Sequence, residues 1–458
     1  MSCPCRKRAP GTTGLDGNSN YTDFYKKLEP ESKDFSHFDF DTIHHYNRMT
    51  ILEWLCCPKR NTESTWTIEK HIKPNCMQGQ IVLITGGSSG IGLETAKILS
   101  CIAGACVVIC SSDKEKVDQA VTKIRNIIRA KKKELEDIRP VTRRRKNIQP
   151  TAGKCFGLEC DLASLRSIRK FSEEFKKKFD RVNVLVHNAG VMRFDTGAAA
   201  SSSSTSDTNA SKNIFRTVDG IERFTQVNYL GGFYLTKLLW NPLLRAANST
   251  YGQENPGAVR VVLTTSLSHW EAKRGVDFSD EAWTKEVAGS GSSTAATSIT
   301  KEYNKHGESK LMALLFMRKL AQRLEEKNKR KRLVNISATC CHVGKAETNL
   351  RKRSSQTILN SVLQFLNPVS WFLPSPMPAE QACLSQVLCC VDEDVQNGSF
   401  YGPDHVVTGF PVEVSGRKYH ESSFANNEAQ MDELWTKSEK LIGEKFFVST
   451  GAVVPEVR

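Results

Sequence analysis

A glycine-spaced turn follows a short apolar run near residue 81 and has the residue types of a phosphate-binding site. Ile81 to Ile84 is apolar and largely β-branched, which predicts a buried strand, and Leu93 to Leu99 returns to helical spacing. Between them, residues 85 to 92 read T-G-x-x-x-G-x-G. Glycines so placed allow a tight turn and close approach of the backbone to a diphosphate, and free N–H groups at the helix start attract the anion. The spacing therefore predicts nucleotide binding.

This turn and several later motifs resemble the short-chain dehydrogenase/reductase superfamily. The later motifs, in chain order, are Asp161 in CDLASLRSI, His187-Asn188-Ala189-Gly190, Asn228 in TQVNYLGGFYLT, Ser266 in VRVVLTTSLSH, Lys310 in HGESKLMALLF, and Gly344 with Thr348. The phrases around Asn228 and Lys310 and the tail from Glu428 to Phe446 are most similar to retinol dehydrogenases and the WW-domain-containing oxidoreductase. Several ordered motifs are more specific than one. The resemblance covers residues 76 to 448.

The resemblance implies roles for individual residues. Ser266 would polarise a carbonyl oxygen, Lys310 would hold the nicotinamide ribose, and Asn228 would support a water relay. Asp161 would hydrogen-bond the adenine, and the segment with Gly344 and Thr348 would close on the nicotinamide. The cofactor-binding residues implied in this way are Thr85, Gly86, Ser88, Ser89, Gly90, Ile91, Gly92, Ser112, Asp161, Leu162, Asn188, Ala189, Gly190, Lys310, Gly344 and Thr348.

The superfamily's Tyr-x-x-x-Lys pair is broken in this chain. His306 stands four residues before Lys310, and the nearest tyrosine, Tyr303, stands seven residues before it. Residues four apart lie on one helix face about 6 Å apart, whereas seven residues span about 10 Å. Tyr303 can therefore replace the missing phenol only if the helix starts late or bulges, and Gly307 would favour a bulge. His306 is the preferred acid/base, because an imidazole titrates near neutrality and the Lys310 ammonium would keep it neutral.

The same residues have structural alternatives. His306 can mark a loss of catalysis, Asp161 can cap a helix that starts near Ala163, and Thr348 can be a helix N-cap. His187 is interpreted as a packed turn residue rather than a ligand. Asn228 and Ser266 are ordinary residues when taken singly.

The end of the second predicted strand bears on the choice of cofactor. Ser112 stands where an acidic residue would favour NAD or an arginine would favour NADP. The hydroxyls of Ser111 and Ser112 together with Lys114 suit a phosphate, so NADP is preferred and NAD is the alternative. Asp113 is expected to cap the next helix. The cysteines and histidines lack metal-site spacing, so no metal is expected.

Strands near 81, 106, 155, 183, 260 and 334 alternate with helices near 91, 114, 163, 220, 304 and 376, which predicts an α/β fold. The sheet should be parallel, doubly wound and of Rossmann type. The expected organisation is an N-terminal extension over 1–75, one dehydrogenase-like domain over 76–448 and a tail over 449–458. Flexible insertions are expected over 129–150, 197–212 and 284–299.

Composition places limits on partners and location. The net charge is +14, but the basic runs lack interleaved aromatic residues, so nucleic-acid binding is not expected. The 15 cysteines without C-x-x-C pairs, and no recognisable signal peptide, favour an intracellular, cytoplasmic protein. Peripheral membrane contact through the basic, cysteine-containing start of the chain and a homodimer are open possibilities. The apolar segment 358–373 is expected to be a substrate lid.

These features predict an NAD(P)-dependent oxidoreductase that interconverts a lipophilic alcohol and its carbonyl compound, such as a retinoid or steroid. The alternative is a catalytically impaired nucleotide-binding regulatory protein. A third possibility, a nucleic-acid binder, would require strongly salt-dependent binding through the basic segments.

Overall fold

The computed structural model describes residues 66–137, 153–192, 216–249, 258–284, 295–329, 335–346, 376–417 and 420–446, together with 252, 254 and 255. Within helices, only the backbone is described for residues 69, 134–137, 295–303 and 327–329. The predicted insertion 197–212, the predicted lid 358–373 and the tail 449–458 lie outside the described residues.

The strands of the described residues form one sheet. They are β1 (Ile81–Thr85), β2 (Cys106–Ser111), β3 (Lys154–Glu159), β4 (Val184–His187), β5 (Val259–Thr265), β6 (Ile336–His342), β7 (Phe400–Pro403) and β8 (Pro411–Glu413). Their order is β3-β2-β1-β4-β5-β6-β7-β8, and all neighbours are parallel except β7 and β8. The six predicted strands all exist, whereas the short β7 and β8 were not predicted.

The helices form two contacting groups around this sheet. The longer ones are α1 (Gly90–Cys101), α2 (Lys114–Asp137), α3 (Leu165–Lys178), α4 (Arg223–Thr225, Gln226–Leu230 and Gly231–Leu238), α5 (Trp240–Ala247), α6 (Ala295–Lys329), α7 (Leu384–Val391) and α8 (Glu428–Ile442). Short helical turns lie at Ile68–His71, Leu267–Glu271, Asp280–Trp283, Ala379–Ala382 and Ser423–Asn426. No helix within the described ranges is both long and apolar enough to cross a bilayer. The predicted doubly wound Rossmann-type α/β fold is confirmed.

The sheet changes direction between β1 and β4. The chain runs outward from β1 to β2 and β3, and then crosses to β4 on the other side of β1. The side chains of Val82, Leu83 and Ile84 in β1 are fully buried, as expected for a central parallel strand. Such a switch point leaves a crevice at the carboxyl ends of the two strands, where ligands bind in open α/β sheets.

Two of the predicted insertions are shorter than the sequence suggested. The insertion predicted over 129–150 does not begin at 129, because α2 continues to Asp137. The segment is charged, but Ala, Lys, Glu and Leu are strong helix formers, so charge did not end the helix. The insertion predicted over 284–299 likewise ends early, since α6 begins at Ala295.

Described residues before position 76 contact the predicted domain. Trp66 is buried, and its Nε1–H donates to Asp392 Oδ2 at 2.6 Å. The backbone N–H of Asn75 donates to Ile102 and that of Met77 to Ala103. Trp66, Asn75 and Met77 therefore pack against the sheet domain, and the boundary at residue 76 stays a prediction.

The C-terminal helix α8 covers α4 and α6. The Trp435 ring lies edge-on to Phe233 at 5.2 Å and stacks on Phe446 at 5.1 Å. The Arg323 guanidinium lies 3.9 Å above the Trp435 ring, which adds a cation–π contact. The Tyr229 and Ser438 hydroxyls share a hydrogen bond of 2.6 Å. The last described helix is therefore part of the core.

Trp435→Ala should lower the free energy of unfolding by about 3–5 kcal/mol, because it opens a large cavity between α4, α6 and α8. Urea denaturation of the purified full chain measures this change. Glu433→Ala, on the exposed side of the same helix, is the matched control and should change stability by less than about 0.5 kcal/mol. Equal losses in the two variants would contradict the packing role of α8.

Candidate functional site

The turn between β1 and α1 has the backbone shape of an anion cradle. Gly86 and Gly90 have φ of +66° and +54°, which L side chains rarely adopt. The Gly86 N–H donates to the Cys110 carbonyl at 2.7 Å, which fixes the turn against β2. A Cβ on Gly92 would lie 2.4 Å from Asn188 Nδ2, so a side chain cannot be accommodated there. The glycines therefore bring the backbone close to β4 and leave room above the turn.

Four hydrogen bonds join the cradle to Asn188 and Ala189, which directly follow β4. The Asn188 side-chain amide donates to the carbonyls of Thr85 at 2.9 Å and Gly86 at 3.2 Å. The Thr85 hydroxyl oxygen accepts from the N–H groups of Asn188 and Ala189, both at 3.1 Å. The predicted residues Thr85, Gly86, Asn188 and Ala189 thus form one continuous surface at the switch point.

The start of α1 points its N–H groups toward the same place. Its N-cap residue, Ser89, makes no side-chain capping bond, so the first N–H groups of α1 remain available to an anion. Ser89 is exposed, and Ser88 and Ile91 are half-buried. These predicted cofactor residues therefore border the cradle, and the donor set fits a diphosphate.

Asp161 follows β3 but does not cap the next helix. Its Oδ1 accepts from the Ala163 N–H at 2.9 Å, whereas Ser164 is the N-cap of α3 and accepts from the Ser167 N–H. The capping alternative for Asp161 was therefore wrong, because Ser164 occupies that position. Leu162 is buried beneath Gly231 of α4, where a Cβ would lie 3.0 Å from the Leu162 Cβ.

The end of β2 leaves Ser112 exposed at the edge of the cradle. Asp113 caps α2 as expected, since its Oδ1 accepts from the Lys116 N–H at 3.0 Å. The hydrogen bonds from Lys116 hold the pKa of the Asp113 carboxyl below its usual range. The Lys114 ammonium, expected to meet a phosphate, pairs with Asp118 instead. Exposed pairs of this kind are weak, so the pair does not decide between NADP and NAD.

Asn228 lies in a π-helical turn, Gln226–Leu230, inside α4. Its Oδ1 accepts from the Val191 N–H at 2.7 Å, and its Nδ2 donates to the Val191 carbonyl at 3.2 Å and to Ser309 Oγ at 2.9 Å. Single π-helical turns are frequent at functional sites because the extra residue redirects a side chain. Asn228 therefore links the chain after β4 to α6.

Gly190 connects the predicted cofactor segment to the predicted catalytic residues. A Cβ built on Gly190 would lie 3.0 Å from Lys310 Nζ and 3.2 Å from Asn228 Oδ1. Lys310 is 8% exposed, and burial lowers its pKa to about 8. No carboxylate of the described residues pairs with its ammonium group. The Thr265 hydroxyl donates to the Lys310 carbonyl at 2.6 Å, which holds this turn of α6 against the end of β5.

His306 lies beside the same backbone segment. Its Nδ1 donates to the Val191 carbonyl at 3.2 Å, which leaves Nε2 as the nitrogen with a free lone pair. The side chain is 3% exposed, and burial together with the Lys310 ammonium lowers its pKa to about 3. The expectation that Lys310 keeps His306 neutral agrees with this arrangement. In this neutral form, Nε2 can accept a hydrogen bond from a bound group.

Tyr303 does not meet the condition set for it by the sequence. Helix α6 is continuous from Ala295 to Lys329, with no bulge between Tyr303 and Lys310 and no late start. Gly307 does not form a bulge in the helix. It is a position without room for a side chain, because a Cβ there would lie 2.6 Å from the Ser268 carbonyl oxygen. It allows α6 to approach the turn after β5. The Tyr303 side chain lies outside the described atoms.

Ser266 follows β5 and caps the short helical turn Leu267–Glu271. Its Oγ accepts from the Ser268 N–H at 3.2 Å, and its carbonyl accepts from His269 Nδ1 at 2.7 Å. Because Gly307 packs against Ser268, Ser266 lies beside the turn of α6 that carries His306. The structure thus brings Asn228, His306 and Lys310 together. It places Ser266 next to α6, the helix that carries His306 and Lys310.

Gly344 begins the last predicted cofactor segment, with φ of +65°. Its N–H donates to His342 Nδ1 at 3.3 Å, so His342 carries its proton on Nε2 and donates to His420 Nδ1 at 3.0 Å. The Lys345 N–H donates to the Val407 carbonyl at 2.8 Å. Both imidazoles are buried and neutral, and they fix the start of this segment. Thr348 lies outside the described residues.

Sequence reasoning missed several residues of this arrangement. Val191 contributes only backbone groups. The Ser309 hydroxyl oxygen accepts a hydrogen bond from Asn228 Nδ2. Gln386 Nε2 donates to Asn188 Oδ1 at 3.2 Å. Ser309, which precedes Lys310 directly, had a signal in the sequence, whereas Gln386 had none. His187 is the packed residue that was expected: its Nε2 bonds Thr236 Oγ1 at 2.8 Å, and burial lowers its pKa to about 3.

Comparison with known proteins gives a consistent result. The model of the short chain dehydrogenase family matches residues 80–142 and 135–253. Retinol dehydrogenase 14 of Mus musculus is 28% identical over 333 residues, which cover 72% of this chain and 79% of that protein. Polyprenol dehydrogenase of Homo sapiens is 33% identical over 199 residues, or 43% of this chain and 46% of that protein.

A solved structure agrees in fold. An uncharacterized protein from Mycobacterium paratuberculosis superposes with a TM-score of 0.53 and 22% identity, over 84% of this chain and 100% of that chain. This similarity concerns the fold alone.

The buried histidines should make the protein labile to acid. Burial lowers the pKa of His187 and His306 to about 3 and that of His420 to about 4, and it also lowers the pKa values of His269 and His342. Since the unfolded chain protonates its histidines near pH 6.5, it binds more protons than the folded chain below that pH. Stability should be fully present above about pH 6.5 and decrease as the pH falls toward 4.

Each such histidine contributes a slope of about 1.4 kcal/mol per pH unit. Urea denaturation between pH 8 and pH 5 measures the total slope. His420→Gln removes one titrating group and should reduce the slope by one such increment. A free energy of unfolding that stays constant from pH 7.5 to 5.5 would show that these imidazoles are not buried as neutral groups.

Proposed function

Because the chain belongs to the short-chain dehydrogenase/reductase superfamily, whose members are oxidoreductases that use nicotinamide dinucleotides, we propose that it interconverts a lipophilic alcohol and its carbonyl compound. One observation carries the proposal for this chain. The cofactor segment and the catalytic helix meet at Gly190, within contact of Lys310 Nζ and Asn228 Oδ1. The groups expected to hold a nicotinamide and to move a proton therefore border one space.

The cradle fits a dinucleotide by two features of the residues present. Gly86 and Gly92 leave no room for a Cβ, and the start of α1 offers uncapped N–H groups to a diphosphate. Asp161 keeps its Oδ2 for an adenine amine, since only Oδ1 is engaged with Ala163. NADP is preferred over NAD because Ser112 stands exposed where an acidic residue would exclude a phosphate.

The residues would divide the chemistry as follows. His306 Nε2 would take the hydroxyl proton of an alcohol as the hydride leaves the carbon, and because its pKa is about 3 the imidazolium would pass that proton on to solvent. The Ser266 hydroxyl orients that oxygen, the Lys310 ammonium holds the ribose, and Asn228 fixes Val191 and the His306 turn. A bound nicotinamide would supply or accept the hydride. Tyr303 is the less favoured proton carrier, because it stands seven residues before Lys310 on an unbroken helix.

The substrate class rests on the relatives and on the surface near Ser266. Two relatives carry the names retinol dehydrogenase and polyprenol dehydrogenase, and both names denote lipophilic alcohols. Trp270, four residues after Ser266, is 39% exposed and is a large apolar side chain. A bulky apolar alcohol, such as a retinoid or steroid, is the proposed substrate.

A second candidate function is a nucleotide-binding regulatory protein with impaired catalysis. The observation that favours it is His306 in place of tyrosine, 3% exposed and bonded to Val191. This candidate shares the cradle and differs in turnover alone. The substitutions described below distinguish this candidate function from the enzymatic one.

The expectations about organisation and partners remain predictions. The domain boundaries, the cytoplasmic location and a peripheral membrane contact are proposed on the sequence features given above. A homodimer through α4 and α6 would have to use the parts of these helices that α8 leaves open, since α8 packs over both.

His306→Ala should lower kcat for oxidation of a lipophilic alcohol by at least about 100-fold, because the proton acceptor is lost. Affinity for NADPH, measured by fluorescence titration, should change less than threefold, and the thermal melt should remain cooperative. Tyr303→Phe is the matched control and should retain activity.

Turnover that survives both substitutions would refute the assignment of His306. Under the regulatory candidate, the wild-type chain binds NADPH or NADH but turns over no alcohol, aldehyde or ketone. In that case His306→Tyr is expected to produce measurable turnover.

The pH profile of oxidation should lack an acid limb near pH 6.5 and show an alkaline one. His306, with a pKa of about 3, stays neutral between pH 6.5 and 8, so the proton acceptor is present throughout. Lys310, with a pKa of about 8, loses its charge above that pH, and kcat/KM should decline there. Lys310→Gln should lower kcat/KM at all pH values and abolish the alkaline limb. A profile in which the wild type and Lys310→Gln share the same limb would exclude Lys310 as its source.

A further inference from the structure

A buried glutamine on α7 forms hydrogen bonds with residues at the ends of two strands that border the proposed site. Gln386 is fully buried, and its Nε2 donates to Asn188 Oδ1 at 3.2 Å and to Thr264 Oγ1 at 2.7 Å. Asn188 belongs to the cradle, and Thr264 lies two residues before Ser266. The glutamine therefore joins the end of β4 to the end of β5.

The bond from Gln386 supports the direction in which the Asn188 amide faces. A primary amide has one acceptor and one donor end, and the hydrogen-bond partners decide their placement. Gln386 offers a donor to the Asn188 oxygen, and the carbonyls of Thr85 and Gly86 accept from the Asn188 nitrogen, so both sides favour the same orientation. A reversed Asn188 amide would place its oxygen against these two carbonyls and would lose both bonds to the turn.

Among the described atoms, only the nitrogen end of the Gln386 amide has hydrogen-bond partners. Its Oε1 is buried and has no hydrogen-bond partner among the described atoms. A buried amide oxygen without a partner disfavours folding, and an apolar side chain of the same size would avoid that penalty. The benefit must therefore lie in what its Nε2 holds.

We propose that Gln386 is a positioning residue, which orients the Asn188 amide and thereby sets the shape of the dinucleotide cradle. The proposal rests on the dinucleotide binding described under the proposed function. Gln386 is fully buried and bonds Asn188 and Thr264. It acts through Asn188, whose Nδ2 lies where a side chain on Gly92 would otherwise be.

The test compares three variants of the full chain by titration with NADPH. Gln386→Met keeps the length of the side chain and removes its donor, and it should weaken NADPH binding about tenfold. Ser438→Ala is the matched control, because it removes a buried hydrogen bond, to Tyr229, that involves no residue of the cradle. It should lower the melting temperature without changing NADPH affinity more than twofold.

Gln386→Glu provides a second readout through its pH dependence. An ionised carboxylate cannot donate to Asn188, whereas a protonated one has a single O–H donor. Burial raises the pKa of such a carboxyl toward neutrality. NADPH binding by this variant should therefore be weak at pH 8 and recover as the pH falls to 6.5, whereas the wild type changes little over that range.

The outcomes separate this inference from the function on which it rests. A wild-type chain that binds neither NADPH nor NADH overturns both. Wild-type binding together with unchanged affinity in Gln386→Met overturns the positioning role alone. If Gln386→Met does not fold, a Gln386→Glu variant whose affinity is the same at pH 8 and pH 6.5 overturns it as well.

Discussion

The hydrogen bonds between Thr85 and Asn188 are the constraint on which the rest of the site depends. They join the carboxyl ends of β1 and β4, the two neighbouring strands between which the chain changes direction. Any ligand in the crevice meets backbone from both strands. A loose junction would therefore make the distances between the ligand-binding groups of the two strands variable. The glycines of the turn serve this junction, because only a residue without a Cβ leaves room for the Asn188 amide.

The surroundings of Lys310 are built from neutral groups around one ammonium. Val191 is held from both sides, by Asn228 and by His306, and no carboxylate of the described residues balances Lys310. In such surroundings an imidazole remains uncharged, because burial and a nearby cation both oppose its protonation. A tyrosine in the same place would have to lose its proton to act as a base. A neutral histidine needs no such ionisation before it acts as a base.

Local patterns in the sequence were sufficient for strands β1 to β6 and for the glycine turn after β1. The strand, the glycine turn and the first turn of α1 are contiguous, so their spacing reports their geometry directly. Elements such as Gln386 could not be found in this way, because it lies 198 residues from Asn188 and an isolated glutamine has no pattern. Gly307 was interpreted through helix propensity, whereas the structure uses it to bring α6 against the turn after β5. The capping role considered for Asp161 failed because Ser164 was an equally good candidate three residues later.

The covering of α4 by α8 has a consequence for how the chain is made. Phe233 and Trp435 are neighbours in the core but are separated by about two hundred residues of synthesis. While the ribosome is still producing the intervening segments, the outer aromatic surface of α4 has nothing to cover it. Such a surface is prone to association with other chains or with chaperones. A chain truncated before α8 would therefore expose this aromatic surface and be prone to aggregation, and it would not form a smaller folded domain.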